Sequence, residues 1–350
     1  MKRIAFVLGF VLVGALPLQA KPSFSKVGTA SAPWLKVPVS AREVGMGWIG
    51  VTQATGGASL FWNPGLAPRF SRPVLTVTFV DWLADVTYGY VGYIFPQKNA
   101  AFGISVYGLF MGEMNETTID FPEGTGRTFA AGGNAVGFTY ARQFTDRLSV
   151  GGTLKMVREF ISQSSARTFV LDMGGVLDVG VKDLRIGFAM NNFFGTLKYE
   201  GRDLAMTISN PDWAAQYGSI SNIPFVVQTT PTDVSNIVRF GASMTLFESD
   251  PYRLLGAVQL SHPNDGQDKY HVGFEFSYQN LFSARLGYRY DQDRTWDVPT
   301  WGSQRTTEGL TAGFGINYSL NPNESVSLDY GFLDNGAMGA NHFLTLSYRF

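Results

Sequence analysis

From Arg72 to Phe350 the chain alternates apolar residues with small or polar ones in successive segments of roughly 7 to 13 residues, the period of two that gives a strand two different faces. In the final segment Leu344, Leu346, Tyr348 and Phe350 share one face, and Thr345, Ser347 and Arg349 the other. Val326, Leu328, Tyr330 and Phe332 oppose Ser325, Ser327 and Asp329 in the same way. Val272, Phe274, Phe276 and Tyr278 oppose His271, Gly273, Glu275 and Ser277, while Phe169, Leu171 and Met173 oppose Asp172 and Gly174. The pattern predicts about fourteen strands, beginning near Val74, Thr87, Ala101, Asn134, Leu148, Phe169, Leu184, Val238, Arg253, Tyr270, Ser283, Leu310, Ser325 and His342.

The connections alternate in length. Tight turns are expected at Pro96-Gln97-Lys98, Thr145-Asp146-Arg147, Lys182-Asp183, Glu248 to Pro251, Asn280-Leu281 and Asn321-Pro322-Asn323. The intervening set is longer: Met111 to Ala131, Ile161 to Arg167, Phe193 to Ile237, His262 to Lys269, Asp291 to Thr306 and Leu333 to Asn341, with Val80 to Asp85 as a short exception. An even strand count with short turns at one rim and long loops at the other is the layout of an outer-membrane barrel. A secreted sandwich also alternates, but mid-strand charge sits better in a lumen than in a sandwich core. Asp172, Arg239, Glu275, Arg285 and Asp329 are therefore the lumen-facing candidates. Glu275 and Arg285 fall on neighbouring strands, where they either line the lumen or balance its charge. Tyr93, Phe95, Tyr140, Tyr278, Tyr288, Tyr290, Tyr318 and Tyr348 end the apolar faces, as interfacial girdles do.

Composition narrows the chemistry. The 350 residues include 40 Gly, 28 Phe and no Cys, with a formal net charge of −1. Disulfide scaffolds and thiolate metal sites are excluded, and nothing basic enough to hold nucleic acid is present. His262, His271 and His342 lack metal-ligand spacing, Ser261 and His262 are neighbours that point to opposite strand faces, and no other catalytic constellation stands out. The chain reads as a non-enzyme without a cofactor. Residues 1–20 run from Met1-Lys2-Arg3 through an apolar stretch to Ala20, the form of a signal peptide cleaved near that residue.

Residues 21–71 do not alternate, and 72–350 form the expected barrel. Ser40-Ala41-Arg42-Glu43 fits a capping box. Gly45-Met46-Gly47 follows, then Phe61-Trp62-Asn63-Pro64-Gly65-Leu66-Ala67. Gly45 to Gly50 formally matches a dinucleotide fingerprint, but no strand precedes it, so close backbone packing is the better account. Asn63-Pro64-Gly65 is a turn by its residue types.

The run from Ser40 to Ala67, with Gly45, Met46, Gly47, Trp62, Asn63, Pro64 and Gly65, resembles the N-terminal signature of the PorV/PorQ family, related to the FadL-type long-chain fatty acid transporters. The resemblance implies an all-β, transmembrane antiparallel barrel of about fourteen strands with an N-terminal hatch inside the lumen. The residue between Pro64 and Gly65 in the commoner form of the motif is missing, and Gly56-Gly57 stand where acidic residues often precede it. A chain ending on Tyr348 and Phe350 is similar to substrates of the outer-membrane barrel assembly machinery.

Two functions follow from the resemblance. As a transporter, the barrel would pass a hydrophobic small molecule across the outer membrane, capped by the segment from Phe193 to Ile237 with its Phe193, Phe194, Trp213, Tyr217, Ile220, Ile223, Pro224, Phe225 and Val226. As a component of a type IX secretion system, it would receive exported proteins. A general porin fits less well, because a hatch obstructs a water-filled channel and no ring of one charge sign stands out.

Overall fold

Lipid outside and polar groups inside demand that every strand find two neighbours, since an open edge leaves backbone groups unpaired in hydrocarbon. The computed structural model, which describes residues 28–82, 86–209, 222–291, 309–335 and 339–350, meets that demand with fourteen antiparallel strands. They are β1 (Val74–Asp81), β2 (Thr87–Pro96), β3 (Ala100–Phe110), β4 (Ala131–Gln143), β5 (Leu148–Ile161), β6 (Ser164–Asp178), β7 (Arg185–Phe193), β8 (Ile237–Ser249), β9 (Tyr252–Pro263), β10 (Lys269–Tyr278), β11 (Phe282–Asp291), β12 (Leu310–Ser319), β13 (Ser325–Asp334) and β14 (Ala340–Arg349). Each pairs with its sequence neighbours, and β1 with β14 closes the ring, Val77 opposite Leu346. The signal-peptide segment lies outside the described residues.

The wall is inverted relative to a soluble fold. Phe79, Phe138, Phe169, Phe240, Leu286, Phe314 and Leu344 are all exposed on the outer surface, while Thr76, Thr78, Thr139, Thr153 and Thr345 are buried on the inner one. An apolar outer face alternating with a polar inner face is what a bilayer selects. Phe95, Tyr140, Tyr278, Tyr288 and Tyr318 belong to the outward set.

One connection differs from expectation. Ile161 to Arg167 reads as a longer loop because Ser164-Ser165-Ala166-Arg167 is polar. Instead β5 and β6 meet in the two-residue turn Ser162-Gln163, with Ile161 opposite Ser164 and Ser162 at φ 52°. The polar run continues the strand, where backbone pairing rather than side-chain polarity decides its conformation. The long connection between β7 and β8 carries a short hairpin, Ala205–Ser209 paired with Asn222–Val226. Phe194 and Val226 are exposed there, whereas Trp213, Tyr217 and Ile220 lie outside the described residues.

Residues 28–71 pack against the inner face of the ring as short pieces: turns at Pro33–Lys36, Gly56–Ala58 and Pro64–Arg69, and helices at Ala41–Gly45 and Ser59–Trp62. Each piece is too short to be stable alone. The wall receives them on glycines. A Cβ at Gly187 would lie 2.5 Å from the Val51 carbonyl oxygen, one at Gly331 2.5 Å from that of Ala41, and one at Gly151 2.7 Å from that of Pro64. Strand glycines here mark close backbone approach.

Candidate functional site

The capping box foreseen at Ser40 is not the role that side chain takes. Ser40 makes no capping bond to the helix Ala41–Gly45; its hydroxyl accepts from Trp62 Nε1 at 2.9 Å. The tertiary partner supplies the stronger constraint, and the two halves of the motif segment are tied together. Gly45 sits against the backbone of Gly313, Met46 against Gly273, and Gly47, at φ 78°, against Val272 and Tyr288. Asn63 caps the turn Pro64–Arg69 by accepting from Gly65 N at 3.0 Å, and its amide donates to the carbonyls of Val51 (2.6 Å) and Gly175 (3.1 Å). Pro64 and Gly65 thus turn the chain toward β1 directly over the glycines of β5 and β6.

Three of the lumen-facing candidates are gathered into one ion network. Arg42 of the inner segment donates through Nε and Nη2 to the two oxygens of Glu275, each at 2.8 Å. Arg285 donates to Glu275 and to Asp329, both at 2.6 Å. A bidentate, multiply bonded arrangement compensates for the desolvation of buried charges. Asp172 stands apart, where the β6–β7 register shifts and Asn192 takes φ 65°. It accepts from Asn192 N at 2.7 Å and pairs with Lys155 at 2.8 Å. Burial pushes the Glu43 carboxyl above the usual carboxylate range, against the pull of Arg42.

The fifth candidate, Arg239, lines a cavity of about 260 Å³ between the inner segment and the long-loop rim. Its guanidinium donates to Asn191 at 2.6 Å and lies 5.0 Å from the Trp62 ring. Trp48, Trp62 and Trp82 supply three indoles to the lining, with Lys36, Lys269, His271 and Arg289 around them. Most of these charges are engaged: Lys36 with Asp265, Lys269 with Asp291 at 3.0 Å, and Arg289 over the face of Trp48 at 4.3 Å. Burial lowers the Lys36 ammonium below the usual lysine range despite its carboxylate partner. Trp48 holds φ 68°, a left-handed conformation that a bulky residue adopts only where its surroundings impose it. Its N–H donates to Glu43 O at 2.9 Å, and its carbonyl accepts from Gln259 Nε2 at 3.0 Å.

Sequence reasoning named Trp62 and Arg239 but not Trp48, Trp82 or Arg289. Arg289 shares the inward face of β11 with Arg285 and Gly287, the period-two signal that could have found it. At the opposite rim an open recess of about 680 Å³ is bordered by Arg69, Phe70 and Gln97. His262 is exposed and pairs with Asp268, while Ser261 is buried and bonded to Gln259. Among the described residues no cluster of His, Asp and Glu is arranged to hold a metal ion.

No protein-family model and no curated protein matches the chain. Its fold is similar to the CymD monoaromatic hydrocarbon channel, with a TM-score of 0.55 at 14% identity, covering 89% of this chain and 97% of that one. It is also similar to the Ralstonia pickettii toluene transporter TbuX (TM-score 0.54, 13% identity, 90% and 98% covered) and to a Pseudomonas aeruginosa FadL homologue (0.52, 12%, 89% and 98%). The fold is that of the FadL-like barrels.

Proposed function

We propose that this protein is a non-enzymatic conduit of the bacterial outer membrane, of FadL type, that admits a hydrophobic small molecule at the long-loop rim and passes it around or through the inner segment, which acts as a hatch. The observation that carries this reading is the cavity over the inner segment, in which three indoles are set among a group of polar and charged side chains. Ligand sites are concave, largely apolar and furnished with a few polar groups, and this cavity has that make-up. The similarity of fold to channels named for toluene and monoaromatic hydrocarbons supports the same reading. Lipid covers the outer wall, the first twenty residues serve as the export signal, and the terminal Tyr348 and Phe350 engage the barrel assembly machinery. The PorV/PorQ affinity rests on residues 40–67 alone.

The test is purification from native membranes in mild detergent, followed by mass spectrometry of all copurifying material. A near-stoichiometric apolar small molecule is expected. Exported proteins without such a molecule would overturn uptake in favour of a secretion role.

A further inference from the structure

The chain as a whole is balanced in charge, with 27 basic residues against 28 acidic, but its two open spaces are not. Lys36, Arg239, Lys269 and Arg289 border the cavity over the inner segment, and Arg69, Lys98 and Arg185 border the recess at the opposite rim. Among the described residues no Asp or Glu borders either one. The carboxylates stand outside the linings: Asp265 on Lys36, Asp291 on Lys269 at 3.0 Å and Arg289 at 3.3 Å, and Asp178 on Arg69 at 2.5 Å and Arg185 at 3.1 Å. Four cations against two carboxylates at one end, and three against one at the other, leave both ends with a positive surplus. Arg239 has no carboxylate of its own, since it donates to the neutral amide of Asn191 and Asp172 is held by Lys155 at 2.8 Å.

Two of these cations are open to a ligand. The side chains of Lys36 and Lys269 keep 19% and 31% of their surface exposed, and an ammonium has three hydrogens to give. Lys269 and Arg239 both act on Lys36 as like charges. Like charges gathered around an open space repel one another until an anion enters, and a cleft lined by one sign concentrates ligands of the other. The apolar surface of the cavity is made of rings, the indoles of Trp48, Trp62 and Trp82 with Pro33 and Pro263. Benzene is held by an apolar cavity of about 150 Å³, so the 260 Å³ available here has room for one substituted ring.

We infer, on the footing of the uptake function proposed above, that the molecule carried is a small aromatic acid, a single ring bearing a carboxylate, in preference to the uncharged hydrocarbon or to a long-chain acid. The ring lies among the indoles and the carboxylate is held by Lys36 and Lys269.

The experiment compares p-toluate, its neutral counterpart p-toluamide, toluene and palmitate by calorimetry at neutral pH on the full chain in nanodiscs, with empty nanodiscs correcting for partition into lipid. The wild-type protein is expected to bind p-toluate about tenfold more tightly than any of the others, the worth of a charge-assisted hydrogen bond. Its advantage over p-toluamide should shrink as sodium chloride is raised, because part-exposed charges are screened. Lys36→Gln and Lys269→Gln each keep a hydrogen-bonding head without the charge. Each is expected to lower p-toluate affinity about fivefold and to leave toluene unmoved, while Lys269→Arg restores the wild-type preference. Electrophoretic heat-modifiability reports that each variant is still folded. Equal affinities for p-toluate and p-toluamide, or an advantage indifferent to salt and to both folded glutamine variants, would overturn the inference. Tightest binding of toluene or of palmitate would overturn it in favour of an uncharged or a long-chain ligand. If none of the four binds while another apolar molecule copurifies from native membranes, the uptake reading stands and the aromatic-acid inference falls. If nothing apolar copurifies either, both fall.

Discussion

Replacing Gly187 by alanine tests whether the inner segment is seated on the wall backbone to backbone. The new methyl carbon would lie 2.5 Å from the Val51 carbonyl oxygen and 2.9 Å from Thr52 Cγ2. A carbon and a carbonyl oxygen in comfortable contact are about 3.3 Å apart, so one side must retreat by about 0.8 Å. The Val51 oxygen is also the acceptor for the Asn63 amide at 2.6 Å, so the retreat strains the bond that fixes the Asn-Pro-Gly turn. Overpacking costs about 1–3 kcal/mol, and loss of a buried hydrogen bond about 1 kcal/mol more. A total near 2–4 kcal/mol corresponds to about a 30- to 900-fold shift in the seating equilibrium. Hydrogen–deuterium exchange reads that shift directly as faster exchange in peptides from residues 49–67, with the strands of the wall unchanged. Gly89→Ala is the control, because a methyl there meets nothing nearer than the Thr78 carbonyl at 4.0 Å. Equal exchange in the Gly187 and Gly89 variants would refute the view that wall glycines are seats for the inner segment.

Arg285→Ala strips Asp329 of its guanidinium and leaves Glu275 to Arg42 alone; it should destabilise the folded barrel by about 3–5 kcal/mol, measured by urea titration of heat-modifiable mobility, and Arg285→Met with Asp329→Asn should recover much of the loss. Because burial raises the Glu43 carboxyl, its contribution to seating is present at pH below the unfolded carboxylate range and is lost as pH climbs through the elevated value. Inner-segment exchange should therefore quicken from pH 5 to pH 8 after correction for intrinsic rates, and Glu43→Gln should flatten that rise. Phe350→Ala should lower the amount of membrane-assembled, heat-modifiable barrel; normal levels would argue against a C-terminal assembly role.

The strands were legible because lipid on one side and lumen on the other enforce alternation along every one of them. Strand starts foreseen at Val74, Thr87, Leu148, Leu310 and Ser325 coincide with those observed. The start foreseen at Phe169 came five residues late, since Ser164 to Thr168 holds no large apolar residue and period two carries little information where neither face has one. The cavity was largely hidden. Trp48 and Arg289 meet across 241 positions of sequence, and no local pattern announces such a meeting. The exchange of a capping role at Ser40 for a bond to Trp62 was hidden for the same reason: local propensity yields where a buried partner is available.

The seating of the inner segment also ties the early part of the described chain to its last strands. Ala41 N donates to Thr345 Oγ1 across 304 positions, and Arg42 binds Glu275 across 233. The residues made first are held by those made last. The first helix of the segment has all of its partners only once β14 has closed on β1, whereas Asn63 and Val51 rest on β6 and β7, and each piece is too short to fold unaided. A chain lacking its last strand would therefore lose the Thr345 anchor of Ala41, leaving the start of the inner helix unseated on that side and more open to protease.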